Sequence, residues 1–161
     1  MTTSRNVILM AAALVGIVGG SILTVGGGRL RASDSAPSGS EAKHAMHMQH
    51  SARSIAECAV VCASCSDHCA SLAVGGAKDH VRSQKICADC ADVCAAAAQI
   101  VARHGLLSAV IVDACTKACD LCAQQCEKFP DDAHMKACAK MCRDCLQTCR
   151  ELTEHMRAEA H

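Results

Sequence analysis

The sequence predicts an all-α fold: an antiparallel, up-down four-helix bundle with a cysteine-lined core, preceded by an N-terminal signal or anchor helix. Three observations carry this reading. From residue 42 onward the chain is rich in Ala, Lys, Glu, Gln, Arg and Leu, all good helix formers, and Pro130 is the one proline there. Three short breaks divide that region into four segments. Each segment carries a group of cysteines at steps of four and three, the spacing of a bundle's core seam.

Taken in order, residues 1–6 are polar with one basic residue, Arg5. Val7 to Gly28 is uncharged and mostly apolar, and Arg29-Leu30-Arg31-Ala32 follows. Residues 1–32 therefore read first as a cleaved export signal and second as an uncleaved membrane anchor, since residues 7–28 are just long enough to cross a bilayer. A buried core helix fits poorly, because the stretch is apolar all round and its glycines weaken a helix in water. The expected location is outside the cytoplasm, in the periplasm, or at the membrane if the segment is retained. Residues 33–43, which include SDSAPSGSE, have the composition of a flexible linker.

The bundle is expected over residues 44–158, with helices near 44–73, 78–104, 106–128 and 132–158. Val74-Gly75-Gly76 makes the first break. His104-Gly105 makes the second, with glycine in its usual place after a helix C-terminus. Phe129-Pro130-Asp131-Asp132 makes the third and offers an Asp to cap the next helix. Such short connections imply antiparallel neighbours.

Fifteen cysteines occupy these helices. The first carries Cys58, Cys62, Cys65 and Cys69, and the second carries Cys87, Cys90 and Cys94. The third carries Cys115, Cys119, Cys122 and Cys126, and the fourth carries Cys138, Cys142, Cys145 and Cys149. Ser83 stands where the second helix would have its first cysteine. Antiparallel packing predicts four layers: Cys58/Cys94/Cys115/Cys149, Cys62/Cys90/Cys119/Cys145, Cys65/Cys87/Cys122/Cys142 and Cys69/Ser83/Cys126/Cys138. Cysteine can serve as a small hydrophobe, but fifteen on one seam is a chemical pattern rather than a packing one.

Composition narrows the chemistry. Sixteen basic and sixteen acidic side chains cancel, which gives no charge excess for nucleic acid, and one Phe with no Trp or Tyr removes stacking platforms. Much of the apolar content is Ala and Cys, so disulfides or metals must help hold the interior. Disulfides within a helix are strained, because i and i+4 Cβ atoms lie ~5–6 Å apart and the bond wants about 3.5–4.5 Å. Zinc prefers closed sets of four ligands brought together by turns. Iron–sulfur runs follow C-x2-C-x2-C-x3-C with a following Pro, whereas these helices read C-x3-C-x2-C-x3-C with none.

Copper(I) fits best. It is soft, selects thiolate and thioether, and accepts two or three sulfurs. Seven i, i+4 pairs are available: Cys58/Cys62, Cys65/Cys69, Cys90/Cys94, Cys115/Cys119, Cys122/Cys126, Cys138/Cys142 and Cys145/Cys149. With bridging thiolates, capacity approaches about one copper per cysteine. A thiol redox protein is the competing reading, because Cys62/Cys65, Cys87/Cys90, Cys119/Cys122 and Cys142/Cys145 have C-x-x-C spacing. All four pairs sit mid-helix and inward, unlike an exposed nucleophile at a helix N-terminus. A copper chaperone or detoxification protein is the other alternative, but so many ligands favour capacity over handing on a single ion.

With these four cysteine groups, residues 44–158 resemble the bacterial four-helix-bundle copper storage proteins, whose helices direct repeated C-x3-C pairs into the bundle. The resemblance implies storage of many copper(I) ions without catalysis, and a homotetramer in exported members. Such members often carry a twin-arginine signal; here Arg5 stands alone.

One further segment, KHAMHMQH from Lys43 to His50, offers accessory soft ligands: His44, Met46, His47, Met48 and His50. His47 and His50 share a helical face with Cys58. A solvated helix start explains them equally well. His104, His155 and Met156 are expected at this same end, and His68, His80, His134 and Met135 at the other.

Overall fold

A computed structural model describes residues 38–159. The signal or anchor over residues 1–32, and the linker as far as residue 37, lie outside the described residues. The four helices are α1 (Gly39–Val74), α2 (His80–Ala102), α3 (Ser108–Cys126) and α4 (Ala133–Glu159). No described helix is long and apolar enough to cross a membrane.

Helix α1 begins five residues earlier than expected, so residues 39–43 are helix rather than linker. The cause is a capping box. The Ser38 hydroxyl accepts from the Glu41 amide at 3.4 Å, and the Glu41 carboxylate accepts from the Ser38 amide at 2.7 Å. That second bond holds the Glu41 carboxyl below its ordinary pKa. Gly76, at φ 102°, makes the α1–α2 turn. In the second break the left-handed residue is His104, at φ 52°, rather than Gly105. Gly105 is needed for close approach, since a Cβ there would lie 2.9 Å from Ile100 Cγ2. Asp132 caps α4 as expected, its Oδ1 accepting from the His134 and Met135 amides at 2.8 and 3.0 Å.

The helices pack in a ring, α1 on α2, α2 on α3, α3 on α4 and α4 on α1. Residue numbers run oppositely across each of these contacts, which makes neighbours antiparallel. Cys94 meets Cys115 near one end of α2 and α3, and Ser83 meets Gln125 near the other. Likewise His44 meets His155, and Cys69 meets Met135, across α1 and α4.

All fifteen cysteines are buried. Conventional apolar packing is confined largely to the bundle's ends. Ile55, Val101, Val112 and Leu152 are fully buried beyond the cysteines at one end. On α3, Leu107 is exposed and Ile111 only partly covered, so Val112 is the residue of that helix that completes the plug. Removing Leu152 therefore takes away a large share of the ordinary hydrophobic burial. Leu152→Ala is expected to destabilise the metal-free protein by ~2–5 kcal/mol in denaturant unfolding. Leu121→Ala, on the exposed face of α3, should stay within about 0.5 kcal/mol.

Candidate metal centre

The 4-3-4 spacing turns every cysteine inward, and packing brings their sulfurs into one column. Four groups have sulfurs within 4.8 Å of one another: Cys58/Cys94/Cys119/Cys145, Cys62/Cys122/Cys138/Cys142, Cys65/Cys87/Cys126/Cys138 and Cys115/Cys145/Cys149. Cys138 joins two of these groups and Cys145 the other two, and Cys58 lies 3.9 Å from Cys62 between the pairs, so the sites are continuous rather than closed.

The layers differ from the expected ones in a regular way. Within α1–α2, Cys58 still pairs with Cys94 and Cys65 with Cys87. Within α3–α4, Cys115 still joins Cys149, and Cys119 joins Cys145. Helix α1 has slid by one cysteine step against α3 and α4, so Cys58 faces Cys119 and Cys145 rather than Cys115 and Cys149, whereas α2 sits half a step off α3, with Cys94 3.5 Å from Cys115 and 3.6 Å from Cys119. A seam of repeating steps looks nearly the same after such a slide. Register is then decided at the ends, where Met135 extends the α4 seam and packs against Cys65 and Cys69.

The closest thiols are on different helices: Cys62 to Cys142 at 3.4 Å and Cys94 to Cys115 at 3.5 Å. Of the seven pairs within one helix, Cys58/Cys62, Cys90/Cys94 and Cys115/Cys119 lie at 3.9–4.0 Å. Three others share a third sulfur, and for Cys138/Cys142 it is that of Cys62, at 4.0 and 3.4 Å. Cys87 lies 3.7 Å from both Cys122 and Cys126. Met135 Sδ lies 3.5 Å from Cys65 and 3.3 Å from Cys69. With a metal–thiolate bond of ~2.3 Å, two sulfurs on one trigonal ion are about 4.0 Å apart. The thiols therefore already stand at bridging distance.

Ionisation in this core is shared out by hydrogen bonding. A thiol that accepts an S–H bond ionises more easily, and one that donates ionises less easily. Cys58, Cys90 and Cys115 lie below the ordinary thiol range, each first through Cys119. Cys62 and Cys87 lie well above it, first through Cys122, with burial adding. Cys142, first through Cys119, and Cys94 and Cys145, first through Cys115, are also pushed up. Cys69 is pushed up to about 12, chiefly by burial, with the neighbouring Cys65 and the Asp132 charge adding.

The KHAMHMQH residues divide. His44 and His47 are partly covered and Met48 is buried, whereas Met46 and His50 face solvent. His44 Nδ1 lies 2.8 Å from His155 Nε2, and the His47 and His155 rings are 4.4 Å apart. His47 Nε2 is buried without a hydrogen-bond partner. Glu159, which the sequence reading overlooked, joins His44 and His155 in a possible ligand set. Burial, and then His47 and His44, hold the His155 imidazole below its ordinary range. His104 lies beside His44, as expected for this end.

At the opposite end, His68 Nε2 bonds Asp132 Oδ2 at 2.8 Å and stacks on His134. Burial works against the Asp132 carboxylate, but hydrogen bonds from His68 and from the Met135 and His134 amides outweigh it and lower its pKa. Ser83 Oγ accepts from Gln125 Nε2 at 3.0 Å, so the gap in the cysteine pattern is filled by a satisfied polar pair.

A family model described as copper storage protein matches residues 44–154. A solved structure showing copper loading to a cytosolic copper storage protein from Streptomyces lividans, with five coppers, is also similar. Its TM-score is 0.64 at 29% identity, covering 70% of this chain and 97% of that one. No curated protein sequence matches the chain.

Proposed function

The chain belongs to the copper storage protein family, and from that premise we propose that its fifteen buried thiols are the ligands of a multi-ion copper(I) store. The observation that carries this is the sharing of Cys138 and Cys145 between neighbouring groups. Isolated zinc sites would call for separate, closed sets of four ligands. A continuous column with shared members suits bridging thiolates and a soft ion of low coordination number. Each copper displaces thiol protons as it binds, so the metal neutralises charge that the core could not otherwise hold.

The thiol redox alternative finds no support in the site. Both members of each C-x-x-C pair are at most 2% exposed, which leaves no accessible nucleophile. Anaerobic titration of reduced protein with copper(I) tests the storage reading. More than ten ions per chain are expected from the bridging argument. Saturation at one or two would remove storage and favour a chaperone.

Export to the periplasm is part of the proposal and rests on the apolar composition of residues 7–28. N-terminal sequencing of the mature protein should start after Ala32; recovery of the intact N-terminus in the membrane fraction would assign an anchor instead. Assembly as a homo-oligomer, a tetramer by the family resemblance, is the matching proposal for quaternary structure, and light scattering tests it.

A further inference from the structure

The α4 seam does not end at Cys138. Three residues earlier it continues to Met135, which is fully buried. Methionine often fills irregular gaps in a core, and leucine would fill this one as well. What distinguishes Met135 is the aim of its neighbours. The Cys69 and Cys65 thiols both donate to its Sδ, at 3.3 and 3.5 Å. These two cysteines are the last of the α1 group, and Cys69 belongs to none of the four thiol groups. Met135 thus supplies the third sulfur, beside Cys65, that Cys69 otherwise lacks.

The position is held from two helices at once. Asp132 Oδ1 accepts from the Met135 amide at 3.0 Å, fixing the start of α4. Asp132 Oδ2 accepts from His68 at 2.8 Å, the residue before Cys69 on α1. One carboxylate therefore sets the Cys69 turn against the Met135 turn. On the far side, Ser83 and Gln125 satisfy each other and offer no soft donor.

The structure assigns to Cys65, Cys69 and Met135 a copper(I) site of two thiolates and one thioether, with Met135 as a sixteenth sulfur of the store. The assignment rests on the storage reading and adds a ligand of a different chemical type. When copper(I) binds, the two thiols release their protons to solvent and the thioether releases none. The site then carries one net negative charge, where a third thiolate would leave two. That difference matters beside Asp132, whose charge already bears on Cys69. A neutral thioether donates less strongly than a thiolate, so this site should fill late and empty early.

Selenomethionine-labelled, full-length protein, loaded anaerobically with copper(I), tests this by X-ray absorption at the selenium edge. In a Met46→Leu/Met48→Leu background, which removes the other candidate thioether ligands, a copper neighbour of selenium is expected at full loading and should vanish when Met135→Leu is added. That variant keeps Cys65 and Cys69, so it should give up its weakest copper at a lower chelator concentration, with its helical dichroism unchanged. Met46→Leu, on the solvent face, should leave the selenium signal intact. Absence of a selenium–copper contact, or its persistence in Met135→Leu, overturns the assignment. If that happens while more than ten coppers still bind, storage stands and the thioether site alone falls. Saturation at one or two ions removes both.

Discussion

Metal-free, reduced protein is expected to be fully helical at pH 7, to lose stability steeply as pH rises above about 9, and to regain it on loading with copper(I). The helices need no metal to form, because their alanine-rich sequences and short turns specify them locally. Their packing is another matter. The Cys69 thiol is raised from 9.0 in the unfolded chain to about 12 in the fold, chiefly by burial. Cys149 is likewise raised to about 12, first through its hydrogen bond with Cys115. A raised thiol pKa means that the native state holds a proton the unfolded chain gives up. Stability from these groups is complete below pH 9.0 and drains away as pH climbs toward 12. Copper reverses the sign. The bound thiols have already lost their protons, and high pH favours binding. Each site held at a thousandfold excess over its dissociation constant adds about 4 kcal/mol, so many sites together should lift the melting temperature by tens of degrees. Thermal melts followed by circular dichroism from pH 7 to 11, with and without copper, make the comparison. A metal-free melting temperature that stays flat to pH 11 would mean the core is already ionised, and this account of its electrostatics would be wrong.

The cysteine seam was legible because its period is helical and chemistry-bearing residues occupy it without interruption, apart from Ser83. Burial of all fifteen followed from that period alone. The register was not legible, for a reason built into the same repeat. A 4-3-4 seam slid by one step presents nearly the same pattern, so spacing cannot choose between Cys115 and Cys119 as the partner of Cys58. The choice is made by larger residues at the ends, Met135 against Cys65 and Cys69 at one and Leu152 with Ile55 and Val112 at the other. Met135 had a sequence signal: it lies three residues before Cys138 and so continues the seam. Ser38 had one too, since Ser-x-x-Glu opens a capping box. Glu159 had none, because its place beside His44 and His155 depends on how far α1 and α4 extend together.

Copper uptake should slow by about an order of magnitude, a loss of ~1.4 kcal/mol in capture, when His44, Met46, His47, Met48 and His50 are replaced together, while final capacity stays nearly unchanged. The structure sharpens this expectation to two of the five. His44 and His47 turn toward His155, and the buried Nε2 of His47 has no partner to give up before it meets a metal. Met46 and His50 face solvent. Asparagine at positions 44 and 47 should therefore reproduce most of the loss, and replacing Met46 and His50 should do little. Geometry also offers a rival. Beyond the histidine end, Ile55, Val101, Val112 and Leu152 plug the core, whereas the other end is finished by Met135 and the Ser83–Gln125 pair. The plug is not a barrier in itself. The small side chains of Ala97 and Ala98 line the same stretch of α2, and a bare ion handed from imidazole to thiolate needs only a brief rotamer change. Clustered soft ligands at the histidine end account for capture as well as passage, whereas at the other end His68 is already bonded to Asp132 and Met135 is fully buried. Stopped-flow loading from a weak copper(I) donor separates the two routes. If His44→Asn/His47→Asn loads at the wild-type rate while His68→Asn/His80→Asn is slow, copper is admitted at the Met135 end, and the histidine cluster plays another part.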